Sequence, residues 1–315
     1  MSTLHFPRRP EWVARVEALD PDRSSPQRLA AQLLRSANDH DIVVLNGAGR
    51  AEQALVGLLV ATRRRPAIVL ADATWRSGGS LVERVARRAA IRAIDGPRMH
   101  YCVLSSAESR IFPSTWGVDP GRVFFTPWYY AFSEEELAIP TTSDGGVFAG
   151  GNSLRDYSPL VAAGRGLSAE VTIASDQVAA GELPPNVHAG PVPPERYMQL
   201  MRSAEVVVVA LAARHDRSAG QQTYLTAMAI GKPVVVTDVM GVRDYVEDGV
   251  TGHIVPPADP VALRSKLEWV LDPANRNESD LIVRRAREVA LARFGPDQYV
   301  RSLLRVIERA AATTC

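Results

Sequence analysis

SAGQQTYLTAMAIGKPVVVTD, residues 218–238, places a polar, glycine-bearing loop between apolar neighbours. Ser218, Ala219, Gly220, Gln221, Gln222 and Thr223 form the loop. Tyr224 to Ile230 read as a helix, Gly231 ends it, and Pro233 to Thr237 form a strand with Asp238 just beyond. Glycine past a helix end, with proline soon after, is a stop signal. Upstream, EVVVVAL (205–211) is a second short apolar run. Such runs, joined through helices, belong to a parallel sheet covered on both faces. Ligands of open α/β sheets sit beyond the carboxyl ends of strands, where loops lead into helices. The 212–223 loop, AARHDRSAGQQT, occupies that place. A helix N-terminus offers unpaired N–H groups and a partial positive charge, which suits phosphate. Gly220 would let backbone approach the anion, and Ser218 and Thr223 would add hydroxyls. The bland alternative is a capped helix, with Ser218 as the cap and no ligand. Taken alone, the loop favours the cap.

The same plan runs through the chain. In the first half DIVVLNG (41–47), PAIVLAD (66–72), YCVLSS (101–106) and RVFFTP (122–127) read as strands. Helical spacing marks AEQALVGLLVATRRR (51–65) and LVERVARRAAIRAI (81–94). In the second half GGVFAGG (145–151), AEVTIAS (169–175) and NVHAGPV (186–192) read as strands, with helices at 158–167, 194–204, 261–271, 279–293 and 297–311. The expected fold class is α/β, two Rossmann-like doubly wound domains facing a cleft. The expected divisions are 1–138, 139–296 and a C-terminal helix, 297–315, packing near or across the N-terminal domain.

Composition sets the outer limits. The 315 residues are 46% apolar and 23% charged, which is globular and long enough for two domains. No apolar run approaches a membrane span; LVGLLVA (55–61), for one, is far too short. The N-terminus lacks the apolar core of a signal peptide, and Cys102 and Cys315 give no disulfide framework. A cytoplasmic protein is expected, with peripheral contact at the inner membrane face as the further option. Residues 1–130 hold 18 basic against 12 acidic residues, and 131–315 hold 18 against 23. Arg84, Arg87, Arg88 and Arg92 fall on about one helical face, beside Arg63, Arg64 and Arg65. A solvated helix face is the commoner meaning; an anionic membrane surface or lipid-linked acceptor is the sharper one.

TAMAIGKPVVVTD (226–238) and GVRDYVEDGVTGHIVPPADPVAL (241–263) together resemble the donor domain of GT-B glycosyltransferases, especially the retaining family 4. NVHAGPVPPERYMQLMRSAEVVV (186–208) and VFAGGNSLRDYSPLVAA (147–163) also look like their family counterparts. The likeness runs over about 122–311. It implies that Ser218 to Thr223 form the donor-phosphate loop, that Gly150, Gly151 and Asn152 form the glycine turn after the domain's first strand, and that Arg155 neutralises the diphosphate. Arginine suits this task because it is always charged and forks onto phosphate oxygens; its bland alternative is a surface helix cap. Where the family often carries two glutamates eight positions apart, this sequence has Ser218 and Thr226. The donor contacts are therefore remodelled, with Thr226 or Asp216 serving the ribose. Where His-Asp often follows an N-terminal strand, Ala71-Asp72 stands here.

Asp72 is the catalytic candidate of the first half, against the reading of a helix-start cap. Gly47 and Gly49 of GAGR (47–50) are acceptor-side candidates; a lone Gly-x-Gly without the third glycine argues against a dinucleotide. Asp20-Pro-Asp22 spells Asp-x-Asp but sits in a turn context. His40, His188 and His215 are scattered, and no zinc spacing occurs. The expectation is transfer of a sugar from a nucleotide diphosphate sugar, UDP-linked as first guess, to an acceptor hydroxyl. Retention, no metal, no cofactor and no nucleic acid partner are expected, with a small-molecule, glycan or lipid-linked acceptor. The alternatives are an epimerase or hydrolase of the same fold, or a non-catalytic sugar-nucleotide-binding protein.

Overall fold

Two parallel sheets organise the chain, one in each of two compact units: Met1–Pro127 with Pro296–Cys315, and Trp128–Gly295. The computed structural model describes residues 28, 31, 32, 34, 35, 40–46, 66–73, 75, 78–178, 183–213 and 217–312. The helix expected at 51–65, the GAGR turn with Gly47 and Gly49, Arg63 to Arg65, Asp20, Asp22, His215 and Asp216 lie outside them.

The first sheet runs β1 (Ile42–Leu45), β2 (Ala67–Leu70), β3 (Met99–Val103) and β4 (Val123–Phe125), in that order and all parallel. Helix α1 (Leu81–Ile94) links β2 to β3, and α2 (Ser106–Trp116) links β3 to β4. Helix α2 was not expected, because Pro113 interrupts it and its apolar positions are few. It forms because Ser105 caps it, Glu108 supports the cap, and Phe112 and Trp116 pack with Trp75 and Tyr101. The last helix of the chain, α9 (Pro296–Ala312), packs on β1, β2 and β3. Its buried Tyr299, Val300, Leu303, Val306 and Ala310 recur at helical spacing.

Near the start of the second unit lies a short helix, α3 (Glu134–Ala138), which the sequence reading did not assign. Ser133 and Glu136 form a capping box, and Arg202 donates to the carbonyls of Glu136 and Ile139. The strands are β5 (Val147–Gly150), β6 (Val171–Ala174), β7 (Val187–Gly190), β8 (Val206–Val209), β9 (Val234–Thr237) and β10 (His253–Val255). The helices are α4 (Ser158–Gly164), α5 (Pro194–Ser203), α6 (Gln221–Ala229), α7 (Pro260–Leu271) and α8 (Arg276–Arg293). The sheet order β10-β9-β8-β5-β6-β7, entirely parallel, is the doubly wound arrangement. Its valine runs are buried on both faces, as continuous apolar strands require. Buried Lys232 of the Gly-Lys-Pro turn donates to the carbonyls of Thr142 and Ala204. Burial draws its pKa down to about 8.

His253 on β10 lies edge-on to Trp269, with ring centroids 4.9 Å apart, and is 4% exposed. Burial, reinforced by Lys266 and opposed by Asp248, lowers its pKa to about 4. Between an ordinary unfolded value of about 6.5 and that folded value, the unfolded state binds the extra proton, so acid favours unfolding. Unfolding free energy should fall by up to about 3 kcal/mol from this group as pH drops through that window. Urea melts at pH 7, 5.5 and 4.5 test this: His253→Leu should lose that part of the slope. An unchanged slope would remove His253 as its source.

Candidate active site

The direction of winding in the second sheet reverses between β5 and β8. From β5 the chain moves to β6, whereas β8 leads the opposite way to β9. The space beyond the carboxyl ends of two such strands is where open α/β sheets hold ligands. Two backbone features meet there.

The first is the turn after β5. Gly151 has φ 102°, a left-handed conformation that favours glycine. A Cβ on Gly150 would collide with the Tyr197 ring, so Gly150 lets α5 close onto the strand end. Asn152 is held by its side-chain oxygen, which accepts from Ser175 Oγ at 2.6 Å, and by Gln177, which donates to its carbonyl. Tyr157 donates to the Gly151 carbonyl at 2.6 Å.

The second is the start of α6. The helix begins at Gln221, three residues before the sequence expectation, so Gln221, Gln222 and Thr223 form its first turn rather than a loop. Its N-cap is Gly220, at φ 88°, and no side chain caps it. Ser218 is therefore not the N-cap residue. Ser218, Ala219, Gln221, Thr223 and Thr226 are buried. The Gln221 side-chain nitrogen is buried without an acceptor among the described residues. Gln222 is exposed, and its oxygen accepts from the Trp128 indole N–H at 3.1 Å.

Arg155 ties the two features together. Its Nε donates to the Gly150 carbonyl at 3.2 Å and its Nη1 to the Ser153 carbonyl at 2.8 Å. Its Nη2 donates to Thr223 Oγ1 at 3.0 Å, on the first turn of α6. A backbone bridge between Arg155 and Leu211, just past β8, fixes the segment at the same point. Arg155 is thus a bridging guanidinium and not a helix cap: α4 starts after Tyr157, which makes no side-chain cap bond. A permanent cation and a helix N-terminus free of side-chain caps meet there through the Arg155–Thr223 bond, and the first residue of that helix, Gln221, carries the buried amide donor. That combination suits an anion with several oxygens.

Tyr157 and Tyr197 escaped the sequence reading. Burial pushes the Tyr157 pKa up to about 12, against the opposing pull of Arg155, and burial raises Tyr197 too, against Thr223 and Arg155. Both stay protonated hydroxyl donors around neutrality. No local pattern marked them, because their contacts run to the glycine turn and to Thr223 through the fold. Asp72 belongs to the first unit, just past β2, where its N–H donates to the Asn46 carbonyl at 2.8 Å.

Residues 153–273, which hold Arg155, Thr223 and α6, match the model of the family described as glycosyl transferases group 1. The segment 153–273 is a group 1 glycosyltransferase domain. A stretch of 126 residues is 35% identical to the D-inositol 3-phosphate glycosyltransferase of Acidothermus cellulolyticus, over 40% of this chain and 26% of that relative. Only about a quarter of the curated relative's length is therefore matched. Among solved structures, HepE of Anabaena with UDP and glucose is similar at TM-score 0.69 and 17% identity, over 92% of this chain and 84% of that one. Sucrose-phosphate synthase of Thermosynechococcus elongatus is similar at TM-score 0.66 and 16% identity, over 94% and 81%. These likenesses establish the fold around the group 1 domain: GT-B, two Rossmann-like α/β units in one chain.

Proposed function

We propose that the chain transfers a sugar from a nucleoside diphosphate donor to an acceptor hydroxyl, and that the diphosphate rests on Arg155 and the N-terminus of α6. The observation that carries this is the Arg155–Thr223 bond across the switch point, beside a helix start that no side chain caps. Transfer breaks the bond between the anomeric carbon and the diphosphate oxygen and forms one to the acceptor oxygen. Negative charge builds on the departing diphosphate, and one of its oxygens takes the acceptor hydroxyl's proton as the new bond forms. A fixed guanidinium and oriented N–H groups stabilise that charge as it develops. Uridine is the proposed base, supported by the similar HepE structures with UDP and UDP-glucose. Retention at the anomeric carbon follows the family resemblance. Asp72 is the proposed catalytic residue of the first unit, and the acceptor is a small molecule, a glycan or a lipid-linked sugar.

The reading is tested by incubating the protein with a panel of nucleotide sugars and candidate acceptors, with products followed by NMR. The anomeric signals separate transfer from epimerisation and hydrolysis. Because protein groups are available to neutralise the diphosphate, transfer should persist in EDTA to within about twofold. Full loss on chelation, restored by Mg²⁺ or Mn²⁺, would contradict the metal-independent part of the reading.

A further inference from the structure

Helix α1 in the first unit turns its apolar stripe to solvent. At 3.6 residues per turn, Leu81, Val82, Val85, Ala86, Ala89 and Ala93 share about 140° of its circumference. Leu81, Val82 and Val85 are 68%, 77% and 60% exposed, and Ile91, on the opposite side, is the residue the helix buries. A helix packed in the ordinary way buries its stripe and exposes its charges. Here Arg84 and Arg88 line one border of the exposed stripe, and Arg92, a further four residues on, falls just inside that border. Arg87 is not part of that row: it points to the other side and donates to the Gly78 carbonyl at 3.1 Å. The single acidic residue of the helix, Glu83, is engaged in the Ser80 capping box.

The stripe is also held in place. The capping box and the Arg87 bond fix the start of the helix. Its C-cap residue, Asp95, accepts from Tyr101 at 2.9 Å and takes both ends of the Arg122 guanidinium at 2.8 Å. An exposed aliphatic strip beside a row of arginines matches an interface that is apolar inside and negatively charged at its surface. A protein partner would need an acidic rim on one side only. A second copy packed antiparallel would set two arginine rows close together.

We propose that α1 is a docking face for an anionic lipid surface, with Leu81, Val82 and Val85 entering the acyl boundary and Arg84, Arg88 and Arg92 meeting the headgroups. The proposal stands apart from the sugar-transfer reading, since it concerns neither Arg155 nor α6. The test is co-sedimentation of the whole protein with phosphatidylcholine vesicles, plain or containing about one-third phosphatidylglycerol. Binding is expected only to the anionic vesicles and should weaken with salt. Val82→Asp/Val85→Asp and Arg84→Glu/Arg88→Glu should each cut binding on the order of tenfold or more. Arg284→Glu/Arg285→Glu, on exposed positions of α8, should leave it unchanged. The single Val82→Asp change keeps the test sound if a double variant folds poorly, because an acidic residue in the first turn favours the helix. Equal binding to neutral vesicles, full binding by the α1 variants, or no binding at all would overturn the proposal. So would self-association in light scattering that the α1 variants abolish while vesicles are ignored; the face would then be an interface between copies.

Discussion

Arg155→Ala should lower kcat/KM for the nucleotide-sugar donor on the order of hundredfold, the usual cost of deleting one donor to developing charge. UDP affinity should fall by about tenfold or more, because a charge-assisted contact is lost. The melting temperature should move less than activity: the exposed Ser153 carbonyl can turn to water, and the loss to the fold is that of the donor to the buried Gly150 carbonyl. Arg155→Lys keeps the charge but not the fork, and should recover only part of the loss. Thr223→Val separates support from contact. It keeps the shape, removes the acceptor that aims Nη2, and should weaken UDP binding by ~1.5–3 kcal/mol if the hydroxyl also touches phosphate. Calorimetry with UDP, beside melting curves of the free proteins, distinguishes these outcomes. Parent-like affinity in both variants would remove the pair from the donor site.

Gly220→Val should cost stability first and binding second. The residue sits at φ 88°, where a β-branched side chain is strained. Its Cβ would lie 3.0 Å from Val209 and 3.2 Å from Leu211, against the carboxyl end of β8. Strain and overpacking each cost about 1–3 kcal/mol, so roughly 3 kcal/mol together and a melting point lower by around ten degrees. The sequence suggested that Gly220 keeps room for phosphate. The structure gives it a different duty: its missing side chain faces the hydrophobic interior and lets α6 start close over the sheet. A Gly220→Val protein with the parental melting curve would contradict that placement.

The strand, helix and strand around 218–238 were legible because valine runs, Gly231 and Pro233 are strong local signals, and the doubly wound class followed from their repetition. The start of α6 was not legible. Gly220 caps it in a left-handed conformation, and a glycine without a side-chain cap looks like loop. Helix α2 was hidden by Pro113, and α3 by its shortness, although Ser105-x-x-Glu108 and Ser133-x-x-Glu136 are capping signals in plain view. Arg155 could be nominated from the glycine turn before it. Its bond to Thr223 could not, because 68 residues separate the partners and only the sheet order brings them together. The same holds for Tyr197, whose ring fills the space that Gly150 leaves.

One measurement bears most directly on the diphosphate site: a crystal structure of the protein with UDP bound. The β-phosphate oxygens should lie within hydrogen-bonding distance of the Arg155 guanidinium and of the first N–H groups of α6, with Thr223 Oγ1 beside them. UDP bound elsewhere, with Arg155 still closed on Thr223 and the start of α6 in contact only with water, would contradict it.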